Sequence, residues 1–453
     1  MSLKKRLFNN GIAYVLQKGV RVLEQLFLVP FFISAWGAAY YGEWLTLTII
    51  PSVIAFSDLG FGTSAANSFV LTYAAGDKKK AADINKTGMY IITIMVLVAI
   101  SLGIVSIFIL NYFKVFDKSL IDSHDAIIAV SILILAYLLN FYNQLIESYF
   151  RAAQKAALSI NLLTIKASAN LGAGLLILLL DYGVVAFAFS QLTVSIVFNV
   201  VYWALGKRVL GLFKTHKGKK DKSILKDITQ KGLGYLMFPA WQAIYFQGTT
   251  FAVRIILGPE AVAVFNTVRT LSRSVNQLLN IISSSIFPEL QYEIGEGNME
   301  KARKIYRFSI VSSFIIAFIG VVFLAIFGLW FYQLWTQNEL HVPESMWYIF
   351  VTGILFHAFW WSSEPVFRAK NEPFKFAKAG ITSACFSVLL TYIFSKYWGL
   401  TGAAMGALSL DLMMALIIMP LSAAMLNLKP IDILSHAYSD TQQLYANIKS
   451  KFK

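Results

Sequence analysis

The feature that most restricts what this chain can become is its succession of long apolar runs, each close to the ~20 residues that a helix needs to cross a hydrocarbon core. They fall near 10–34, 42–66, 87–111, 126–150, 158–180, 183–206, 233–257, 261–286, 307–332, 345–366, 376–397 and 400–426. Inside lipid every backbone amide and carbonyl must be satisfied within the segment, which makes each run a helix. Charged residues are only 14% of the 453, against 57% hydrophobic, where a soluble domain carries about a quarter charged. The expected fold class is therefore all-α, a polytopic membrane protein of about twelve transmembrane helices. The eighth run is the least regular, because Asn266, Arg269, Arg273, Asn276 and Asn280 interrupt it.

Loop charges orient these spans. With the N-terminus inside, inner segments hold 30 Lys and Arg and outer loops hold three, Lys114, Lys118 and Lys396. Lysine and arginine are retained on the cytoplasmic side of a membrane, so both termini are expected there. Removing the eighth span would put the basic 367–378 loop outside, so the charge pattern also supports that span. The formal net charge of +15 lies almost wholly in these loops, which argues for membrane topology and against nucleic acid. The first apolar segment follows Lys4-Lys5-Arg6 but contains Lys18, Arg21 and Glu24, and reads as a retained helix and not a cleaved signal. A lone Cys385 and five scattered histidines give no metal or disulfide pattern, and no cofactor is expected.

The halves echo each other. Glu147-Ser-Tyr-Phe150-Arg151-Ala152 recurs as Glu364-Pro-Val-Phe367-Arg368-Ala369, 217 residues on. Tyr182-Gly183 resembles Trp398-Gly399 at an offset of 216, and Gly37 with Gly258, and Gly76 with Gly297, match at 221. An even number of spans separates the copies, so two six-helix lobes are expected, related by a pseudo-two-fold along the membrane normal. The lobes are read as 1–206 and 233–428, joined by a basic cytoplasmic linker, 207–232, which lies on anionic headgroups or docks a partner. Residues 429–453 place Leu434, Tyr438, Tyr445, Ile448 and Phe452 on one face, as an interfacial amphipathic helix or a solvated tail would.

Six cations remain within spans: Lys18, Arg21, Lys166, Arg254, Arg269 and Arg273. Each costs ~2.5–3.5 kcal/mol at a helix centre on insertion scales, so they are expected to line a hydrated interior. Asn266, Arg269, Arg273, Asn276, Asn280 and Ser284 follow spacings of three and four, which is one helical stripe. Lys18, Arg21 and Gln25 share a face of the first span, while Asn140, Gln144 and Glu147 form a milder stripe on the fourth. The bland readings are snorkelling for Lys18 and Arg254, and a structural Arg–Asn network for the eighth span. The intramembrane carboxylates are Glu24, Asp58 and Asp411. Glu24 is either the i,i+3 partner of Arg21 or an ion-coupling group; Asp58 either braces its helix end or couples. A cationic interior suits an anionic cargo, since Arg pairs with phosphate oxygens bidentately and Lys as a point charge.

Together with the two lobes, Ser57-Asp58-Leu59-Gly60 and Phe287-Pro288-Glu289-Leu290, followed by Gly297 and Lys301-Ala302-Arg303-Lys304, resemble the polysaccharide repeat-unit (O-antigen, Wzx-type) flippases. These belong to the multidrug/oligosaccharidyl-lipid/polysaccharide flippase superfamily. The resemblance implies translocation of an undecaprenyl-pyrophosphate-linked oligosaccharide from the cytoplasmic to the periplasmic leaflet of a bacterial inner membrane. It implies alternating access through a cavity lined by spans one, two, seven and eight, with polysaccharide polymerase and ligase machinery as partners. Lys166, on span five, sits outside that lining. An ion-coupled multidrug antiporter of the same fold is the alternative, disfavoured by the scarcity of interior acids. A membrane glycosyltransferase is disfavoured by the short outer loops, so no enzyme is expected.

Overall fold

The computed structural model describes residues 3–428, apart from 38–39, 42, 45–46, 49, 52–59, 115, 119 and 337–339. Among the described residues the chain is helical, with no strand. Among the described residues, expected spans appear as the helices Leu3–Trp36, Lys78–Tyr112, Ala156–Leu179, Val184–Leu210, Lys222–Leu257 and Met299–Trp335, several longer than the apolar run, while much of the 42–66 span lies outside the described residues. Three spans are broken. The fourth runs as Ser123–Leu139, a 3-10 turn at Asn140–Tyr142, and Asn143–Ala152; the eighth as Pro259–Ser272, a 3-10 turn at Arg273–Val275, and Asn276–Glu296. The tenth divides into Glu344–Trp361 and Glu364–Ala369. Spans eleven and twelve form one element, Pro373–Met425, which departs from helical geometry at Trp398 and Gly399 (φ 56°).

Among the described residues, six helices are long and apolar enough to cross a bilayer: Lys78–Tyr112, Ser123–Ala152, Ala156–Leu179, Val184–Leu210, Met299–Trp335 and Pro373–Met425. Met299–Trp335 leaves Phe318, Ile319, Phe323, Ile326 and Trp330 exposed, a face that only acyl chains would solvate. Leu3–Trp36 and Lys222–Leu257 are of similar length but interleave Lys18, Arg21 and Glu24, or Gln242, Gln247 and Arg254, with their apolar residues, and fall outside that set.

The chain forms two compact units, 1–233 and 234–453. Each has its own core. In the first, Phe69, Tyr149 and Phe150 are fully buried among Ala65, Ala66, Ala81 and Ala129; in the second, Trp347, Trp360 and Phe376 sit among Ala384, Ala403 and Ala407. The 207–232 segment falls within the first unit. Residues 207–210 finish the Val184–Leu210 helix, and Lys222 begins a helix that runs past the boundary between units. Between them, the Lys219 amide donates to Asp83 Oδ1 at 2.7 Å and the Asp221 amide to Thr87 Oγ1 at 3.1 Å. Gly218 passes so close to Lys78–Tyr112 that a Cβ there would lie 2.0 Å from the Ala82 carbonyl oxygen. Charge patterning could not show this docking, because backbone amides make it. The tail from 429, and Asp58 with its Ser57–Leu59 neighbours, lie outside the described residues.

The repeat is written in the backbone of each unit. Gly37 and Gly258 have φ of 79° and 86°, and Gly76 and Gly297 of 89° and 81°. After Gly76 the Asp77 side chain accepts the Lys80 amide at 2.9 Å; after Gly297 the Asn298 side chain accepts that of Lys301 at 3.3 Å. Both are helix N-caps, which explains why Asp and Asn stand there. In the two E-x-x-F-R-A copies, Glu147 pairs with Arg151 at 3.7 Å and Glu364 with Arg368 at 2.6 Å. Each copy ends on a left-handed residue, Gln154 or Asn371, both at φ 55°. The closing bonds also correspond: the Gln154 amide to Arg151 and Lys155 to Phe150, the Asn371 amide to Arg368 and Glu372 to Phe367. This is the carbonyl-satisfying turn common at helix C-termini.

Candidate functional site

In the second unit the polar stripe of the eighth span straddles the 3-10 break at Arg273–Val275. The break separates its two arginines into different roles. Arg269, on Pro259–Ser272, is 8% exposed and both of its terminal nitrogens are engaged. Nη1 donates to Thr249 Oγ1 at 2.9 Å, and Nη2 to Thr250 Oγ1 at 3.0 Å and to Asn266 Oδ1. Its guanidinium lies 5.0 Å from the Phe246 ring and 5.1 Å from Phe265. A buried charge with this many partners ties Pro259–Ser272 to Lys222–Leu257, as the bland reading of the stripe anticipated.

Arg273 is only half-buried. Its guanidinium covers the other reach of Phe246, 5.0 Å from the ring centre and 5.8 Å from that of Tyr245. It faces a cleft shared with Tyr245, Asn276, Gly353, His357 and Asp411. Asn276, from the same stripe, also lines this cleft.

Opposite Arg273 stands a group that spacing did not reveal. Asp411 on Pro373–Met425 accepts from His357 Nδ1 at 2.9 Å and from Trp360 Nε1 at 2.9 Å, both on Glu344–Trp361. His357 and Asp411 are 3% and 8% exposed. The imidazole stacks on Trp361, with centroids 5.4 Å apart, and meets Trp360 edge-on at 4.6 Å. Asp411 was visible in the sequence as an intramembrane acid, whereas His357 was one of five scattered histidines. The available signal was one ionisable residue in each of two spans that pack together. Replacing Trp360 by Phe removes one donor and strands part of a buried carboxylate, which costs about 1–3 kcal/mol. A matching fall in thermal stability of the purified protein is the expected result.

The other candidates are placed as follows. Lys18 and Arg21 are exposed on Leu3–Trp36 and Glu24 is half-buried there, while the Gln25 side chain lies outside the described ones. Lys166 donates to Asn140 Oδ1 and lies 5.0 Å from the Phe198 ring. Asn140 opens the 3-10 break of the fourth span and also accepts from Asn143 Nδ2 at 3.0 Å. Lys166 is therefore engaged with the fourth span, which suits a structural tie. Arg254 is exposed and lines a separate surface hollow with Gln247, Thr250 and Phe251. Of the six cations, the structure brings Arg269 and Arg273 together on Phe246. The exposed trio Asp122, His124 and Asp125 has ligand-type atoms within 4.8 Å of one another. Asp122 Oδ2 there accepts the amides of His124 and Asp125 as an N-cap, so the geometry serves the helix start.

No protein-family model matches the chain, and no curated protein does. Solved structures match its fold over nearly its whole length. A crystal structure of a MATE point mutant is 18% identical, with TM-score 0.76 over 94% of this chain and 96% of that one. An outward-facing multidrug resistance MATE family transporter of the MOP superfamily is 18% identical, with TM-score 0.73 over the same shares. A MOP superfamily transporter from Pyrococcus furiosus, for which reverse polarity of the binding pocket is said to suggest a different function, is 17% identical, with TM-score 0.72 over 94% and 96%. The chain has the fold of these transporters.

Proposed function

We propose that this chain is a transporter that works by alternating access and carries an undecaprenyl-pyrophosphate-linked oligosaccharide from the cytoplasmic to the periplasmic leaflet. The observation that carries this reading is the charge state of the cleft. Arg273 faces it from a partly exposed position, whereas the carboxylate opposite, Asp411, is already held by two donors. The charge left to recruit a ligand is positive, and a guanidinium recruits phosphate oxygens through paired N–H groups. The partly exposed Phe246 ring beside it is an aromatic surface of the kind on which a sugar ring can rest. Lys18 and Arg21, exposed on a helix otherwise fit for lipid, add cations that a pyrophosphate would attract. The strong inward bias of loop lysines and arginines supports cytoplasmic termini in a bacterial inner membrane. Polysaccharide polymerase and ligase machinery are the partners that such a cargo implies.

A second reading is multidrug export. It draws on the fold likeness to a multidrug resistance transporter and on the partly exposed Phe246 ring. Proteoliposomes separate the two. Under the first reading they move a fluorescent short-chain prenyl pyrophosphoryl sugar between leaflets and leave a cationic dye where it is. Dye accumulation driven by an ion gradient, with no movement of the pyrophosphoryl lipid, overturns it in favour of the second.

A further inference from the structure

We infer that the His357–Asp411 pair is a proton-binding site linked to anion occupancy at Arg273, so that proton and cargo bind together. This rests on the reading of Arg273 as the cargo's phosphate ligand and adds the coupled ion and its sign.

The pair is built for one proton. Asp411 Oδ1 holds the Nδ1–H of His357 at 2.9 Å and the Nε1–H of Trp360 at 2.9 Å, which fixes the imidazole tautomer. The other ring nitrogen, Nε2, is then the basic one. Trp361 stacks flat on the ring, at an interplanar angle of 17°, and Trp360 meets its edge, so the imidazole is fixed in place and kept from bulk water. Yet His357 also lines the cleft that Arg273 faces, a space of about 20 Å³ that holds about one water and must widen to admit a pyrophosphate beside the imidazole.

The sign follows from counting charge. The groups that bear on the imidazole are Asp411 from Pro373–Met425, Arg273 from the break in the eighth span, and the Tyr245 phenol from Lys222–Leu257. With His357 neutral, Arg273 and Asp411 balance and the cleft carries no net charge. A pyrophosphate esterified at both ends adds two negative charges. It thereby cancels the repulsion between Arg273 and an imidazolium and makes uncompensated negative charge in a poorly solvated place. A proton on His357 relieves this. Proton binding and anion binding must favour each other by the same factor, because linkage between two sites is reciprocal.

The test uses the full chain in nanodiscs and a short-chain prenyl pyrophosphoryl sugar, whose doubly esterified pyrophosphate does not titrate near neutrality. Calorimetry in buffers of differing ionisation enthalpy reads both affinity and protons taken up. The expected result is uptake of a fraction of a proton per probe bound, with binding about tenfold tighter at about pH 5.5 than at pH 8. His357→Gln is expected to bind the probe with an affinity independent of pH. Wild-type binding that is equal at all pH values and takes up no proton overturns the linkage and leaves the anionic cargo standing; this arm needs no variant to fold. Unchanged pH dependence in His357→Gln overturns the assignment to this pair. Absence of probe binding at every pH overturns the cargo reading, and the linkage falls with it.

Discussion

Replacing Gly406 by Ala is expected to destabilise the second unit by about 3 kcal/mol or more, because the added methyl meets backbone and not a yielding side chain. A Cβ at Gly406 would lie 2.3 Å from both the amide nitrogen and the Cα of Thr391. These residues belong to the two halves of Pro373–Met425, which fold back on each other at Trp398 and Gly399. Ala403, Ala404 and Ala407 are fully buried along the same contact, and Ser387 Oγ donates to the Gly406 carbonyl at 2.7 Å. Small residues let two membrane helices approach to the point where backbones touch, and dispersion and hydroxyl–carbonyl bonds then hold them. Thermal unfolding of purified protein checks the prediction. Gly353→Ala is the control: its Cβ would meet only the Leu408 Cδ1 at 3.0 Å, the end of a flexible side chain, and should cost under about 1 kcal/mol. Equal losses in the two variants would show that the helix contact is looser than this geometry.

The second large effect separates the two arginines of the eighth span. Arg273→Gln is expected to lower cargo translocation by more than about tenfold at a smaller cost in stability than Arg269→Gln, since removing a charge that meets a ligand charge costs about 2–5 kcal/mol of binding. Arg269→Gln should do the opposite. It gives up bonds to Thr249, Thr250 and Asn266 and the contact with two aromatic rings, so stability falls by about 2–4 kcal/mol. Translocation by whatever Arg269→Gln protein remains folded should stay measurable per molecule. Thermal unfolding and flux, normalised to inserted protein, read both. Undiminished flux in Arg273→Gln would remove the cation from the cargo site.

Much of the fold was legible before any coordinates. Apolar runs of bilayer length gave the helices, and the breaks appear where polar residues collect, at Asn140 and Arg273. The repeat was legible because it rests on residues with a backbone duty. Gly76 and Gly297 sit at positive φ, and Asp77 and Asn298 each cap the helix that follows. Less could be read of the site. Helical spacing put Arg269 and Arg273 on one stripe, and the structure sets one, inside the regular helix, against Thr hydroxyls and the other, at the first residue of the 3-10 turn, against a cleft. Lys166 looked like a stray interior cation and proved to be bound to Asn140 on the neighbouring span.

What the sequence determined by itself is the set of helices, their polar stripes and the repeated turns, since each follows from hydrocarbon thickness, 3.6-residue periodicity or the needs of a helix end. Tertiary structure alone decided which polar side chains meet. His357 and Asp411 stand 54 residues apart, on two spans whose apolar surfaces carry no code for facing each other. Only when Glu344–Trp361 packs on Pro373–Met425, with Gly353 against Leu408, does a histidine come within a hydrogen bond of an acid, beside an arginine that lines the same cleft.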